Sequence, residues 1–144
     1  MGKIIVSSCL LGCECRYKGD SCKNDAVLTL ANEHTLIGVC PEQMGGLPTP
    51  RDPAERVGDK VFSCSGKDVT SEYKKGAEAA LHIAKLNNAD VAILKANSPS
   101  CGKGTIYDGT FTGNKCEGDG VTAALFKNNG ISVYTEDELH MLFR

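Results

Sequence analysis

Four short apolar runs, at about residues 3–7, 35–39, 91–95 and 131–134, alternate with segments of helical spacing. Strand-like and helix-like segments in alternation argue for a parallel sheet flanked by helices, since parallel neighbours need a crossover connection. Residues 24–32 place Ala26, Val27, Leu30 and Ala31 on one face, and residues 71–88 place Tyr73, Ala77, Ala80, Leu81 and Ala84 at helical spacing. Thr70 reads as the N-cap of that second helix. Asp119 or Gly120 opens a third helix over residues 121–129, with Gly130 as the glycine just past its end. Thr135 with Glu138 reads as a capping box for a last helix over residues 136–142. Residues 61–69 suggest a small hairpin turning at Ser65-Gly66. The expectation is one α/β domain spanning residues 1–144, Rossmann-like, with a mainly parallel sheet of about four strands plus that hairpin.

Three of the apolar runs lead to a cysteine. Ile4-Ile5-Val6-Ser7-Ser8 leads to Cys9, Leu36-Ile37-Gly38-Val39 to Cys40, and Val91-Ala92-Ile93-Leu94-Lys95, after a short loop, to Cys101. Parallel strands would collect all three thiols at the C-terminal edge of the sheet, where open α/β sheets bind ligands. Taken singly, a strand-end cysteine is more often a buried structural thiol. Three soft donors from distant segments point instead to a metal or cluster site with one position left open.

The rest of the composition narrows the function classes. A formal net charge of −2 and an aromatic content of 6% give no reason to expect nucleic acid or an anionic membrane as partner. No apolar run reaches the length of a membrane span. The start, Met1-Gly2-Lys3-Ile4-Ile5-Val6, lacks the long apolar stretch and cleavage site of a secretory signal, and Val6 stands where myristoylation needs Ser or Thr. A cytoplasmic protein is expected. Its eight cysteines then sit in a reducing compartment, which ranks metal binding and nucleophilic chemistry above disulfides.

Each strand-end cysteine has chemistry-bearing neighbours. Cys9 is followed by the glycine-closed turn Leu10-Leu11-Gly12, which exposes the thiol and nearby N–H groups. Glu42 follows Cys40 by two residues, as a general acid or base beside a metal-bound thiolate would. Residues 41–58 form a long irregular stretch; Gly45-Gly46, Pro48 and Pro50 suggest a fixed backbone path over a site. Arg51, in the same stretch, either binds an anionic or carbonyl group or pairs with Asp52 or Glu55. Ser98-Pro99-Ser100 brings two hydroxyls to the turn before Cys101. The wide spacings, with no C-x-x-C, disfavour a zinc ribbon and remain compatible with thiolate ligation of an iron–sulfur cluster. Cys13, Cys15, Cys22, Cys64 and Cys116 read as free thiols, a structural zinc on Cys13, Cys15 and Cys22 being a minor alternative. His34, His82 and His140 are scattered and read as non-catalytic.

These motifs resemble a small bacterial family long catalogued as a domain of unknown function and now associated with thiouracil desulfidase. The resemblance covers essentially the whole chain. It rests on Ser8-Cys9-Leu10-Leu11-Gly12, Arg16-Tyr17, Cys40-Pro41-Glu42, Gly45-Gly46-Leu47-Pro48-Thr49-Pro50-Arg51, Asp68-Val69-Thr70, Leu94-Lys95, Ser98-Pro99-Ser100-Cys101-Gly102, Gly109 with Phe111, and Gly118-Asp119-Gly120-Val121-Thr122-Ala123. It implies an oxygen-sensitive [4Fe-4S] cluster on Cys9, Cys40 and Cys101, with catalytic help from Glu42 and a serine. Ser98 is favoured, with Ser100 as the alternative. Arg16, Gly46, Thr49, Arg51 and Lys95 are the expected substrate-binding residues. Cys15 departs from the family pattern, standing where an aliphatic residue is commoner.

The expected activity is removal of sulfur from a thiolated nucleobase such as 2-thiouracil, released as sulfide by non-redox C–S cleavage. The expected partner is that small molecule, with no nucleic acid and no membrane, in a monomer or homodimer. The competing reading is a zinc- or iron-binding module without catalysis that uses the same three cysteines. A cysteine nucleophile at Cys101 ranks last, because it needs a neighbouring base such as histidine and none lies near the motifs.

Overall fold

The computed structural model describes residues 2–142. In chain order the elements are β1 (Lys3–Ser7), α1 (Asp25–Thr29), β2 (Thr35–Val39), α2 (Pro41–Met44), β3 (Ala54–Val57) and β4 (Lys60–Ser63). There follow α3 (Thr70–Leu86), β5 (Val91–Leu94), β6 (Thr105–Tyr107), β7 (Lys115–Glu117), α4 (Val121–Asn128) and β8 (Ser132–Thr135). Short 3-10 turns follow β1, α1 and β8.

The main sheet has the order β2-β1-β5-β8, and all three of its ladders are parallel. Both faces are covered, which is why its strands read as nearly continuous apolar runs rather than as alternating ones. Ile5, Ala92, Leu94 and Val133 face one way and pack with Ala80 and Ala84 of α3 and with Ala123 and Phe126 of α4. Ile4, Val6 and Ile93 face the other way and pack with Leu10, Val27 and Leu30. The chain passes from β1 to β2 on one side and then returns to β5 on the other. The strand order therefore reverses between β1 and β5, the place where doubly wound sheets open a crevice for ligands.

The four expected strands and the first three expected helices are present; the last, expected over residues 136–142, is a 3-10 helix, Glu136–Met141, broken at Glu138. Gly130 takes a left-handed φ of 79°, as its position past α4 requires. The capping box also forms: Thr135 Oγ1 accepts from Asp137 N at 3.2 Å, and Glu138 Oε1 accepts from Thr135 N at 3.0 Å. Thr135→Ala is expected to cost about 1 kcal/mol, read as a lower urea midpoint with an unchanged slope.

Three local expectations are corrected. Thr70 is the first helical residue rather than the cap; Asp68 Oδ1 accepts its N–H at 2.9 Å. The small hairpin is made by β3 and β4, turning at Gly58-Asp59. The Ser65-Gly66 turn exists but returns the chain to only an isolated Phe62–Asp68 bridge. A second hairpin, β6 with β7, was not anticipated. Among the described residues, no helix is long and apolar enough to cross a membrane.

Candidate active site at the switch point

The C-terminal ends of β1, β2 and β5 surround a cavity of about 250 Å³, and Cys9, Cys40 and Cys101 all line it. Each arrives by a different local device. Cys9 sits in the 3-10 turn Ser8–Leu11 directly after β1. Cys40 is the N-cap of α2, and Pro41 occupies the first helical position, where its missing N–H costs nothing. Cys101 lies in a loop held against the start of α4. There Val121 N donates to Pro99 O at 2.9 Å and Thr122 N to Ser100 O at 2.7 Å. These bonds satisfy donors that a helix N-terminus otherwise leaves unpaired. Gly120 makes the approach possible, since a Cβ there would stand 2.4 Å from the Ser100 carbonyl carbon.

The three thiols are not alike. Burial pushes Cys9 up to about 12, with the neighbouring Cys22 thiol adding to the rise and Lys95 opposing it. Burial likewise pushes Cys101 up to about 12, against a hydrogen bond from Ser7. Cys40 is held down at about 7, chiefly by a hydrogen bond from the Cys15 thiol, with burial working against it. Cys15 is raised in turn, first by that bond and then by burial. Two of the three site thiols therefore keep their protons unless a cation is bound to displace them, which is how metal binding and thiol ionisation are linked.

Glu42 lies beside these sulfurs in a fixed posture. Its Oε2 accepts from Arg51 Nε at 3.2 Å and from the Tyr73 hydroxyl at 2.9 Å, and lies 3.2 Å from a terminal Arg51 nitrogen. Arg51 also donates to Cys15 O at 3.0 Å, to Pro48 O at 3.2 Å and to Thr49 Oγ1 at 3.0 Å. One guanidinium thus ties together the loop after β1, the loop after β2 and the site carboxylate. Tyr73 is fully buried, and its hydroxyl is pushed far above the usual phenol range by burial and by the Glu42 carboxylate. It remains a hydrogen-bond donor.

The two serines of the Cys101 turn separate. Ser98 lines the cavity, and its Oγ accepts from Ser100 N and Cys101 N at 3.1 Å each. Ser100 is completely buried and does not line the cavity; its hydroxyl is 2.8 Å from Thr122 Oγ1, so it fastens the turn to α4. Arg16, Arg51 and Lys95 line the cavity. Lys95 forms an ion pair with Glu136 at 2.7 Å, and Arg16 pairs with Asp20 at 3.1 Å. Gly46 and Thr49 do not line it; Thr49 acts from behind, as a partner of Arg51 and of Gln43 at 2.7 Å.

Cys15 had read as a bystander thiol. It is instead buried and lines the cavity, and its carbonyl oxygen lies 3.9 Å from Cys40 Sγ. The zinc site considered for Cys13, Cys15 and Cys22 does not assemble: Cys13 is exposed while Cys15 is buried, and the three do not converge as a metal-holding group. Among the described residues, no three His, Cys, Asp or Glu side chains converge closely enough to hold a single metal ion. Tyr73 also went unnoticed as a site residue, because its helical spacing marked it only as core.

A family model described as 2-thiouracil desulfurase matches residues 4–138. The chain belongs to the 2-thiouracil desulfurase family. One family relative is an uncharacterized protein, YbbK, of Bacillus subtilis (strain 168). It is 48% identical over 147 residues, with 95% of this chain and 97% of the relative covered. A solved structure of the [4Fe-4S]-dependent thiouracil desulfidase TudS matches with a TM-score of 0.94 and 47% identity, over 99% of this chain and 95% of the other. The family's fold, a parallel four-stranded sheet with flanking helices and a small antiparallel hairpin, is the one described above.

Proposed function

We propose that this protein is an iron–sulfur-dependent desulfidase that hydrolyses the thiocarbonyl of a thiolated pyrimidine such as 2-thiouracil, giving uracil and hydrogen sulfide. The observation that carries the reading is the convergence of Cys9, Cys40 and Cys101, with Glu42, on one cavity at the switch point of the sheet. The [4Fe-4S] dependence of TudS supports it. The donor set fits such a group: three soft thiols from three loops line one cavity.

Cys9, Cys40 and Cys101 would hold the cluster, which when bound supplies a Lewis-acidic iron with an affinity for soft sulfur. The remaining chemistry falls to the chain. Glu42 Oε2 is occupied by Arg51 and Tyr73, which fixes the carboxylate at the cavity wall. It takes the proton from water as the water oxygen adds to the thiocarbonyl carbon, and returns a proton to the departing sulfur. No electron is gained or lost: a C–O bond replaces a C–S bond. The Ser98 hydroxyl, fixed in its turn by two backbone N–H groups, orients the heterocycle or the water. The guanidinium of Arg16, at the cavity wall, offers donors to a ring carbonyl.

Glu42→Gln tests this assignment. The amide keeps the shape and loses the base, so kcat is expected to fall by about 10²–10⁴ while bound iron stays at the wild-type level. An unchanged kcat would remove Glu42 from the reaction.

A further inference from the structure

Cys15 is the site thiol that the ligand set does not use. It is 6% exposed and lines the same cavity as Cys40. Cys40 Sγ also lies 3.9 Å from the Cys15 carbonyl oxygen. The backbone around the pair is pinned, because Arg51 bonds both Cys15 O and Glu42. A thiol packed against the backbone of a second cavity-lining cysteine, on segments tied by a common guanidinium, is placed to join it. We propose that Cys15 and Cys40 form a reversible disulfide that withdraws Cys40 from the cluster site, a modification site formed when the cluster is absent.

The oxidant required is a small-molecule disulfide such as oxidised glutathione. Cys40, the more exposed of the two thiols, attacks one sulfur of that disulfide as the thiolate and releases the first small thiol. Cys15 then gives up its proton and attacks the Cys40 sulfur. The Cys15–Cys40 bond forms, the mixed disulfide breaks, and the second small thiol departs with the proton. Two protein thiols are oxidised and one small disulfide is reduced to two thiols. With the cluster bound, Cys40 is engaged as a ligand and this exchange is closed to it. With the cluster lost, the bond keeps Cys15 and Cys40 from further oxidation, and small thiols reopen the site.

The inference rests on Cys40 being a cluster ligand, and its experiment separates the two claims. Full-length protein without cluster is treated anaerobically with oxidised glutathione, alkylated, and digested with trypsin and a Glu-specific protease. Cleavage after Glu14 parts Cys15 from Cys9 and Cys13, and cleavage after Glu33 and Glu42 isolates Cys40. The expected result is a linked pair of these two peptides, absent in Cys15→Ser and present in Cys13→Ser. Treated wild type is expected to take up iron and sulfide only at background until it is reduced, and its Cys40 peptide carries no glutathione, whereas treated Cys15→Ser keeps glutathione on Cys40 as the unresolved mixed disulfide. No linked peptide in the wild type, or equal iron uptake with the link in place, overturns the proposal. Untreated, reduced wild type loading no iron would overturn the cluster reading instead and leave the thiol pair standing.

Discussion

Gly76→Ala is expected to lower the urea midpoint sharply, although alanine is the better helix former. Helix propensity favours the change by about 1 kcal/mol. Geometry opposes it more strongly. A Cβ on Gly76 would stand 1.7 Å from Pro41 O and 2.6 Å from Pro41 C. The contact is reciprocal: a Cβ on Gly45 would stand 1.9 Å from Glu72 O. Helices α2 and α3 thus touch backbone to backbone, and no flexible side chain can move aside. Overpacking of this kind costs about 1–3 kcal/mol and sometimes more, and a clash with backbone belongs at the upper end. The net loss expected is about 2 kcal/mol. Since Cys40 caps α2 and Glu42 lies within it, displacement of α2 is expected to reduce iron retention as well. Lys75→Ala, an exposed change one residue away, should leave both unchanged. A Gly76→Ala protein as stable as the wild type would contradict the close packing of the two helices.

Cys9→Ala, Cys40→Ala and Cys101→Ala are each expected to abolish retention of iron and acid-labile sulfide after anaerobic reconstitution. Two thiolates cannot replace three donors around a cluster. The fold should survive, because alanine removes one sulfur from cores otherwise built of Ile5, Leu94 and Phe126 around Cys101, and of Val6, Leu10 and Val27 around Cys9 and Cys40. Circular dichroism on the same samples distinguishes lost ligation from lost structure. Cys64→Ala and Cys116→Ala, at exposed positions, are expected to retain full iron. A folded variant of Cys9, Cys40 or Cys101 that retains it would remove that residue from the ligand set.

The parallel sheet was legible because each strand is buried on both faces. Ile4-Ile5-Val6 and Ala92-Ile93-Leu94 are nearly inaccessible throughout, so burial and sequence share one signal. Strand ends then located the three cysteines. The two hairpins carried no such signal. Strand β7 is exposed at all three positions and β3 contains Glu55-Arg56, so neither shows apolar patterning. Glu55 is nonetheless nearly buried, because its Oε1 accepts from Gly109 N and Phe111 N and pins the β6–β7 loop. Side-chain reach was also hidden. Spacing assigned Tyr73 correctly to the buried face of α3, but not its bond across to Glu42. Cys15 lies in an irregular loop without periodicity, and its burial depends on packing against segments 25 residues away in sequence. The choice between Ser98 and Ser100 hangs on the direction of one turn, which Gly120 and the start of α4 decide from elsewhere in the chain.

The central claim concerns the cavity at the ends of β1, β2 and β5. The direct measurement is anaerobic reconstitution with iron and sulfide, removal of excess reagents, and incubation with 2-thiouracil while uracil and free sulfide are both followed. The account predicts equimolar uracil and sulfide over many turnovers, with neither formed by the Cys101→Ala protein. A fully loaded wild type that releases neither product would contradict it.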